Sequence, residues 1–242
     1  MKIRPRRWDV TVAEARAIQQ RLRGRVERRD RFGRIRRVAG ADVAFGQGLA
    51  IAAVLVFSYP DLRLVETAQA ATPLGFPYVP GLLSFREGPA LLKAFAAITV
   101  LPDLLLFDAH GFAHPRRFGL ACHMGVLLDR PSVGCAKSVL VGEWEAAGLG
   151  AERGAWVPLE LEGQTVGAAV RTRQGSKPIF ISIGHRVSLR SAIRLALACC
   201  AGYRLPEPTR QADLAVSRLR QQWAIGEVSG SAAARIPSEK RI

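Results

Sequence analysis

Apolar and polar positions along the chain change period several times, and the changes mark out elements. Thr11 followed by Glu14 has the form of a capping box and predicts a strongly basic helix running to about Arg29. Arg34 to Phe45 and Leu49 to Tyr59 then read as two strands, with Gly46-Gln47-Gly48 as the hairpin turn between them. Pro60-Asp61 turns the chain into a third strand, Leu62 to Ala70, which completes an antiparallel meander. A Pro/Gly-rich loop covers residues 72 to 84. A helix starting at Leu83 or Ser84 and running to about Ile98 follows, with Glu87 expected in its first turn. Leu104 to Phe107 is short and wholly apolar, the pattern of a buried parallel strand. Beyond it the pattern predicts a helix from Phe118 to Leu128, a strand from Ser132 to Ala136, and a hairpin pairing Ala155–Glu160 with Gln164–Arg171. A strand from Pro178 to Ile183, a helix from Ser188 to Ala201 and a last helix capped by Thr209 complete the reading.

A meander, then a helix, then further α/β units predict an α/β fold, a mixed sheet of antiparallel and parallel strands covered by helices. The pattern gives one domain over residues 1–228 and a small, charged tail, 229–242, expected to be disordered. The longest apolar stretch, Leu49 to Phe57, is about half of what a bilayer span needs, so no membrane partner is expected. Asp9 and Glu14 interrupt any apolar signal region, and the chain reads as cytoplasmic and monomeric. Cys122, Cys135, Cys199 and Cys200 show no paired spacing and are expected as reduced, mostly buried thiols.

Charge changes the picture. Lys and Arg number 35 against 20 Asp and Glu, a formal net charge of +15, nearly all of the excess being Arg. Such a surface attracts polyanions, and the guanidinium fork suits phosphate oxygens, so nucleic acid is the expected partner. Solvated basic faces are the bland alternative.

Against that background a few residues stand out. Asp42 lies in Val38-Ala39-Gly40-Ala41-Asp42-Val43-Ala44-Phe45, a segment otherwise without charge, where an ionised carboxylate is costly unless paired. Asp108 repeats the anomaly after Leu104-Leu105-Leu106-Phe107. Either alone could be a turn residue or a helix cap. If the two strands are neighbours, the pair calls for a cation, and hard oxygen ligands suit Mg²⁺ or Mn²⁺. Glu87 is a third candidate carboxylate, His185 follows an apolar strand, and Lys137 ends another. His110, His114 and His123 with Cys122 suggest zinc, but the loop is irregular and lacks a second ligand pair. Phosphate contact or loop hydrogen bonding is the better reading. Tyr78, held between Pro77 and Pro80, is rigid enough to fill the gap left by a flipped base.

Several segments resemble the endonuclease V family in order and spacing from about residue 8 to 215. They are Val38–Asp42, Pro77–Glu87, Asp108-Ala109-His110-Gly111 with His114-Pro115-Arg116-Arg117, Gly134-Cys135-Ala136-Lys137, Gly184-His185-Arg186-Val187-Ser188 and Tyr203–Arg210. The resemblance implies an RNase H-like fold and an enzyme that needs Mg²⁺, with Mn²⁺ able to substitute. It implies that Asp42, Asp108 and Glu87 bind the metal, that His185 assists catalysis and that Lys137 positions the phosphate or nucleophile. Tyr78 would be the wedge, backbone groups near Gly81, Leu83 and Ala109 would line the base pocket, and His114, Arg116 and Arg117 are assigned to substrate binding. The implied reaction is hydrolysis of the second phosphodiester bond 3′ to inosine in DNA, leaving a 3′-hydroxyl and a 5′-phosphate. An inosine-specific ribonuclease and a non-catalytic nucleic-acid-binding protein on the same fold are the alternatives. Two positions depart from the family: Ala109 stands where Gly is usual, and Arg190 where an acidic residue is.

Overall fold

The computed structural model describes residues 7–224 and 234–237. The elements run α1 (Val12–Arg23), β1 (Arg37–Gly46), β2 (Leu49–Ser58), β3 (Leu64–Pro73), α2 (Leu83–Ala97), β4 (Leu104–Phe107), α3 (Leu120–Leu128) and β5 (Ser132–Ala136). They continue with β6 (Trp156–Leu161), β7 (Gln164–Val170), β8 (Ile179–His185), α4 (Leu189–Ala198), α5 (Glu207–Ala224) and β9 (Ala234–Pro237). All the strands join one mixed sheet in the order β6-β7-β8-β5-β4-β1-β2-β3-β9. β1 to β3 form the antiparallel meander, β4 lies parallel to both β1 and β5, and β8 runs antiparallel to β5. No helix among the described residues is long and apolar enough to cross a membrane.

The local signals account for most boundaries. Thr11 and Glu14 form the reciprocal cap, Glu14 N donating to Thr11 Oγ1 at 3.2 Å and Thr11 N to Glu14 Oε2 at 2.7 Å. α1 stops at Arg23 with Gly24 as its C-cap, six residues short of Arg29, and the arginine-rich stretch beyond it is irregular. In the β1–β2 hairpin Gly46 pairs with Leu49, and both turn residues, Gln47 (φ 49°) and Gly48 (φ 73°), are left-handed. That is the turn whose twist matches its strands. α5 begins at Glu207, so Thr209 does not cap it; its buried hydroxyl donates instead to the Pro206 carbonyl at 2.9 Å. Of the tail expected to be disordered, residues 234–237 are strand, paired with Glu66–Gln69 of β3. Residues 229–233 and 238–242 lie outside the described residues.

Strand alternation splits the core into two layers. Ala39, Ala41, Leu105 and Phe107 face α2 and α3, whereas Val38, Leu104 and Leu106 face α5 through Ala212, Val216 and Leu219. Gly40 shares the α5 side. A Cβ there would lie 2.0 Å from the Pro208 carbonyl oxygen, so only glycine lets the start of α5 rest on β1. Gly40→Ala should therefore push α5 off the sheet and destabilise the protein by about 3 kcal/mol, at the upper end of overpacking costs. A denaturation midpoint unchanged from the parent would contradict that contact.

Candidate active site and nucleic-acid cleft

β1 and β4 are neighbours, with Ala41 beside Phe107, so the next residues, Asp42 and Asp108, emerge together. Both have the parity that faces α5. Lys137, one residue past β5, has the same parity as the buried Val133 and Cys135 and joins them. Its Nζ lies 2.5 Å from Asp108 Oδ2 and 3.3 Å from Oδ2 of Asp213 on α5. Asp213 belongs to the cluster and is the residue sequence reasoning missed. Glu87 reaches it from α2 on the other face. It sits in the second turn of that helix rather than the first, so a favourable interaction with the helix dipole does not explain it. It is buried, 8% exposed, where a carboxylate needs another reason to exist.

The electrostatics are those of anions held together. Burial raises the pKa of Asp42 to about 7, with Asp108 and Asp213 adding to it against a hydrogen bond from the Val43 amide. Burial, then Asp42 and Asp108, pushes Glu87 well above the usual carboxylate range. Burial raises Asp108 too, opposed by Lys137. Burial disfavours the Lys137 ammonium, but Asp108 and Asp213 outweigh it and hold its pKa up. Among the described residues no three potential ligands already stand at coordinating spacing. Lys137 is the countercharge inside the cluster. Four carboxylates with one ammonium, Lys137, between two of them still suit a hard divalent cation, because excess negative charge and oxygen donors are what such an ion needs.

Beside the carboxylates opens a cavity of about 410 Å³. Asp108 and Lys137 line it together with Tyr78, Gly81, Leu83, Ala109 and Leu140. Tyr78 is 71% exposed at its rim. α2 starts without a side-chain cap, so no side chain takes the first-turn N–H groups near Leu83.

His114, Arg116 and Arg117 do not line this cavity. The Gly81 carbonyl accepts from His114 Nε2 at 2.9 Å, Arg116 Nη2 at 2.7 Å and Gln19 Nε2 at 3.0 Å. Arg116 Nε also donates to Gln19 Oε1 at 2.6 Å. Because His114 Nδ1 accepts from the Arg116 amide at 3.2 Å, the ring proton is on Nε2. Gly81 has φ 78°, a left-handed residue held by three donors. These side chains thus position the loop that carries Tyr78. Buried Arg117 is bound to Gln164 Oε1, Leu161 O and Glu162 Oε2, each at 3.2 Å, which ties it to the β6–β7 hairpin. In this structure the three side chains hold the loop and the hairpin and do not line the cavity.

Burial lowers the His114 pKa to about 4 from 6.5. A neutral buried histidine contributes stability that is complete above its unfolded pKa and is lost as the pH falls from about 6.5 towards 4. His114→Gln should remove part of that acid loss. Denaturant titrations at neutral and mildly acidic pH would read it, and identical pH dependence in the two proteins would count against it.

His185 does not join the cluster. β8 runs antiparallel to β5, so Phe180 is beside Ala136 while His185 is beside Ser132, about 13 Å of strand away at the opposite edge. There its Nδ1 accepts from the Glu27 amide at 3.2 Å. The strand end was readable in the sequence; which end of the sheet it reached was not. The zinc reading of the other histidines also fails among the described residues. His123 Nδ1 is 2.9 Å from Ser84 Oγ, and the Cys122 thiol donates to the Ile183 carbonyl. Cys122, Cys135 and Cys199 are buried free thiols, Cys200 half-buried.

Comparison with known proteins fits this geometry. The endonuclease V family model matches residues 20–214. The chain belongs to the endonuclease V family. This family membership makes it a nuclease. It is 53% identical over 213 residues to the endonuclease V of Roseiflexus castenholzii, covering 88% of this chain and 95% of that one. The crystal structure of endonuclease V from Streptomyces avermitilis superposes with a TM-score of 0.86 at 43% identity, covering 91% of this chain and 97% of that one. Ciona intestinalis endonuclease V, solved with a DNA containing an inosine followed by a ribo-adenosine, gives a TM-score of 0.74 at 27% identity, over 88% of this chain and 98% of that one.

Both positions expected to depart from the family pattern have local explanations. Ala109 is buried in the cavity wall and is not among the residues with positive φ, so its methyl group brings no backbone strain. Arg190 opposes the dipole of α4, but Asp30 supplies the missing negative charge there. It accepts from Ser188 N at 2.7 Å and from Ser191 Oγ at 2.7 Å.

Proposed function

We propose that the protein is a Mg²⁺-dependent repair endonuclease that recognises inosine in DNA and hydrolyses the second phosphodiester bond 3′ to it, leaving a 3′-hydroxyl and a 5′-phosphate. The observation that carries this reading is a shared cleft: one open cavity is lined by the exposed Tyr78 and by Asp108 and Lys137. A base extruded from the stack would enter the cavity while its 3′ phosphates lie over the carboxylates. Tyr78 would occupy the space the base leaves.

Asp42, Asp108, Glu87 and Asp213 would hold the divalent cation, Mg²⁺ or Mn²⁺, which when bound acidifies a water and neutralises charge on the phosphate. Lys137, already between Asp108 and Asp213, would orient a phosphate oxygen or the nucleophile and keep the anionic cluster tolerable to a polyanion. Selectivity would come from hydrogen-bond polarity. The uncapped N–H groups at the start of α2 meet an acceptor in the carbonyl oxygen of hypoxanthine, but a competing donor in the amino group of adenine. The Gln19–His114–Arg116 clamp would keep that donor array at a fixed pitch.

The ribo-adenosine beside the inosine in the Ciona ligand supports a second reading, an inosine-directed ribonuclease. DNA and RNA strands of one sequence, each carrying a single inosine and assayed with Mg²⁺ and with EDTA, separate the two. Faster cutting of DNA supports the repair reading, and faster cutting of RNA replaces it. Activity that survives EDTA would remove the metal from the account.

A further inference from the structure

The edge of the sheet that carries Lys137 continues, three strands away, into a second surface that the cleft does not use. Trp156 opens β6 and is 42% exposed. It shares a cavity of about 560 Å³ with Arg153, Arg190 and Arg194 and the apolar side of α4, and among the described residues no acid lines it. Register fixes where this surface lies. Ala136 pairs with Phe180, Phe180 with Ala169, and Ala169 with Val157. Lys137 and Trp156 flank the ends of that row, so they are level with each other, about 14 Å apart at three strand spacings.

The span between them is bridged. Arg204 Nη2 donates to the Lys137 and Pro178 carbonyls at 2.7 Å each, closing the ends of β5 and β8. Beside it Tyr203 is 51% exposed, with the Arg210 guanidinium 4.0 Å from its ring centroid. Leaving the carboxylates along this edge, a ligand would meet the exposed Tyr203, whose neighbour Arg210 is already paired with Glu207 at 2.7 Å, and then an indole among three arginines. Two exposed rings, the second among cations, suit stacked bases joined by phosphates.

We propose that this edge is a track for single-stranded nucleic acid running out of the cleft. One base stacks on Tyr203, a later one stacks on Trp156, and Arg190 and Arg194 meet the phosphates. The spacing is a few nucleotides of extended strand. The direction of the track rests on the cleft assignment above; the track itself does not. An acidic protein would satisfy the arginines, but it would not need their alignment with Lys137.

The test is binding of undamaged strands of about 6 and about 18 nucleotides, measured by fluorescence anisotropy in Mg²⁺. Wild-type protein should bind the longer strand more tightly. Trp156→Ala should lose about tenfold on the long strand and nothing on the short one, with Trp156→Phe keeping most of the gain. The Arg190→Ala/Arg194→Ala double variant should lower the slope of log affinity against log salt by about 1.4, two single-strand phosphate contacts. Because the strands carry no inosine, this result does not depend on cleavage, and a short inosine strand should be cut by Trp156→Ala as by wild type. Equal length dependence and equal salt slopes in all variants would overturn the track. So would a loss for Trp156→Ala that is the same on short and long strands, or a failure of Trp156→Phe to restore it.

Discussion

Asp42→Asn should abolish cleavage, by at least ~10³-fold, the scale lost with a pre-positioned electrostatic group at a reacting phosphate or carbonyl. The same substitution should stabilise the metal-free protein. The carboxyl of Asp42 has its pKa raised to about 7 by burial and by Asp108 and Asp213, against an ordinary value of 3.8. Its native form therefore binds the proton more tightly than the unfolded chain does. The stability this proton contributes is complete below about 3.8 and is lost as the pH rises through about 7. At pH 8 the ionised group is a net cost, which Asn removes. Thermal melts in EDTA should show the variant gaining on wild type from acidic to mildly alkaline pH and then levelling. A site that sacrifices stability for charge behaves in this way. A variant that melts below wild type at pH 8, or one that still cuts, would show that Asp42 is not part of a strained anionic cluster.

Asp213→Ala should lower kcat by about 10²-fold or more with little change in KM, since the residue holds Lys137 and adds a carboxylate but lines no part of the base cavity. Asp213→Glu should recover part of the rate, because it keeps the charge. Single-turnover cleavage of an inosine strand reads both. If KM rose while kcat stayed, Asp213 would be a binding residue and the cluster would be a triad.

Asp213 also shows where the sequence stops being informative. Asp42 and Asp108 are legible because a charge inside an apolar strand is an energetic anomaly. An aspartate on a helix beside Arg210, Gln211 and Arg218 is none, and it reads as a solvated face. It becomes a site residue only because Gly40 lets the start of α5 lie on β1, a contact between residues far apart in the chain. His185 erred for a related reason: alternation and flanking turns reveal a strand end, but pairing direction decides which edge it occupies. Arg116 and Arg117 are assigned to substrate binding by the resemblance alone. Here their forks close on carbonyls and on the hairpin. By contrast the limits of β4 and β5 agree with the sequence, since short buried parallel strands are apolar to their ends and stop at the first residue with chemistry. The end of α1 was not legible in the same way. α1 loses its last turns because arginine neither forbids nor requires a helix once the apolar face has ended.

The most direct measurement is the position of the cut. A DNA strand with one inosine, its adenine counterpart as control, is incubated with the protein and Mg²⁺, and the products are mapped to the nucleotide. The account predicts a single break at the second phosphodiester bond 3′ to inosine, with a 3′-hydroxyl and a 5′-phosphate and the adenine strand intact. Equal cutting of both strands, or binding of both without any cut, would contradict it.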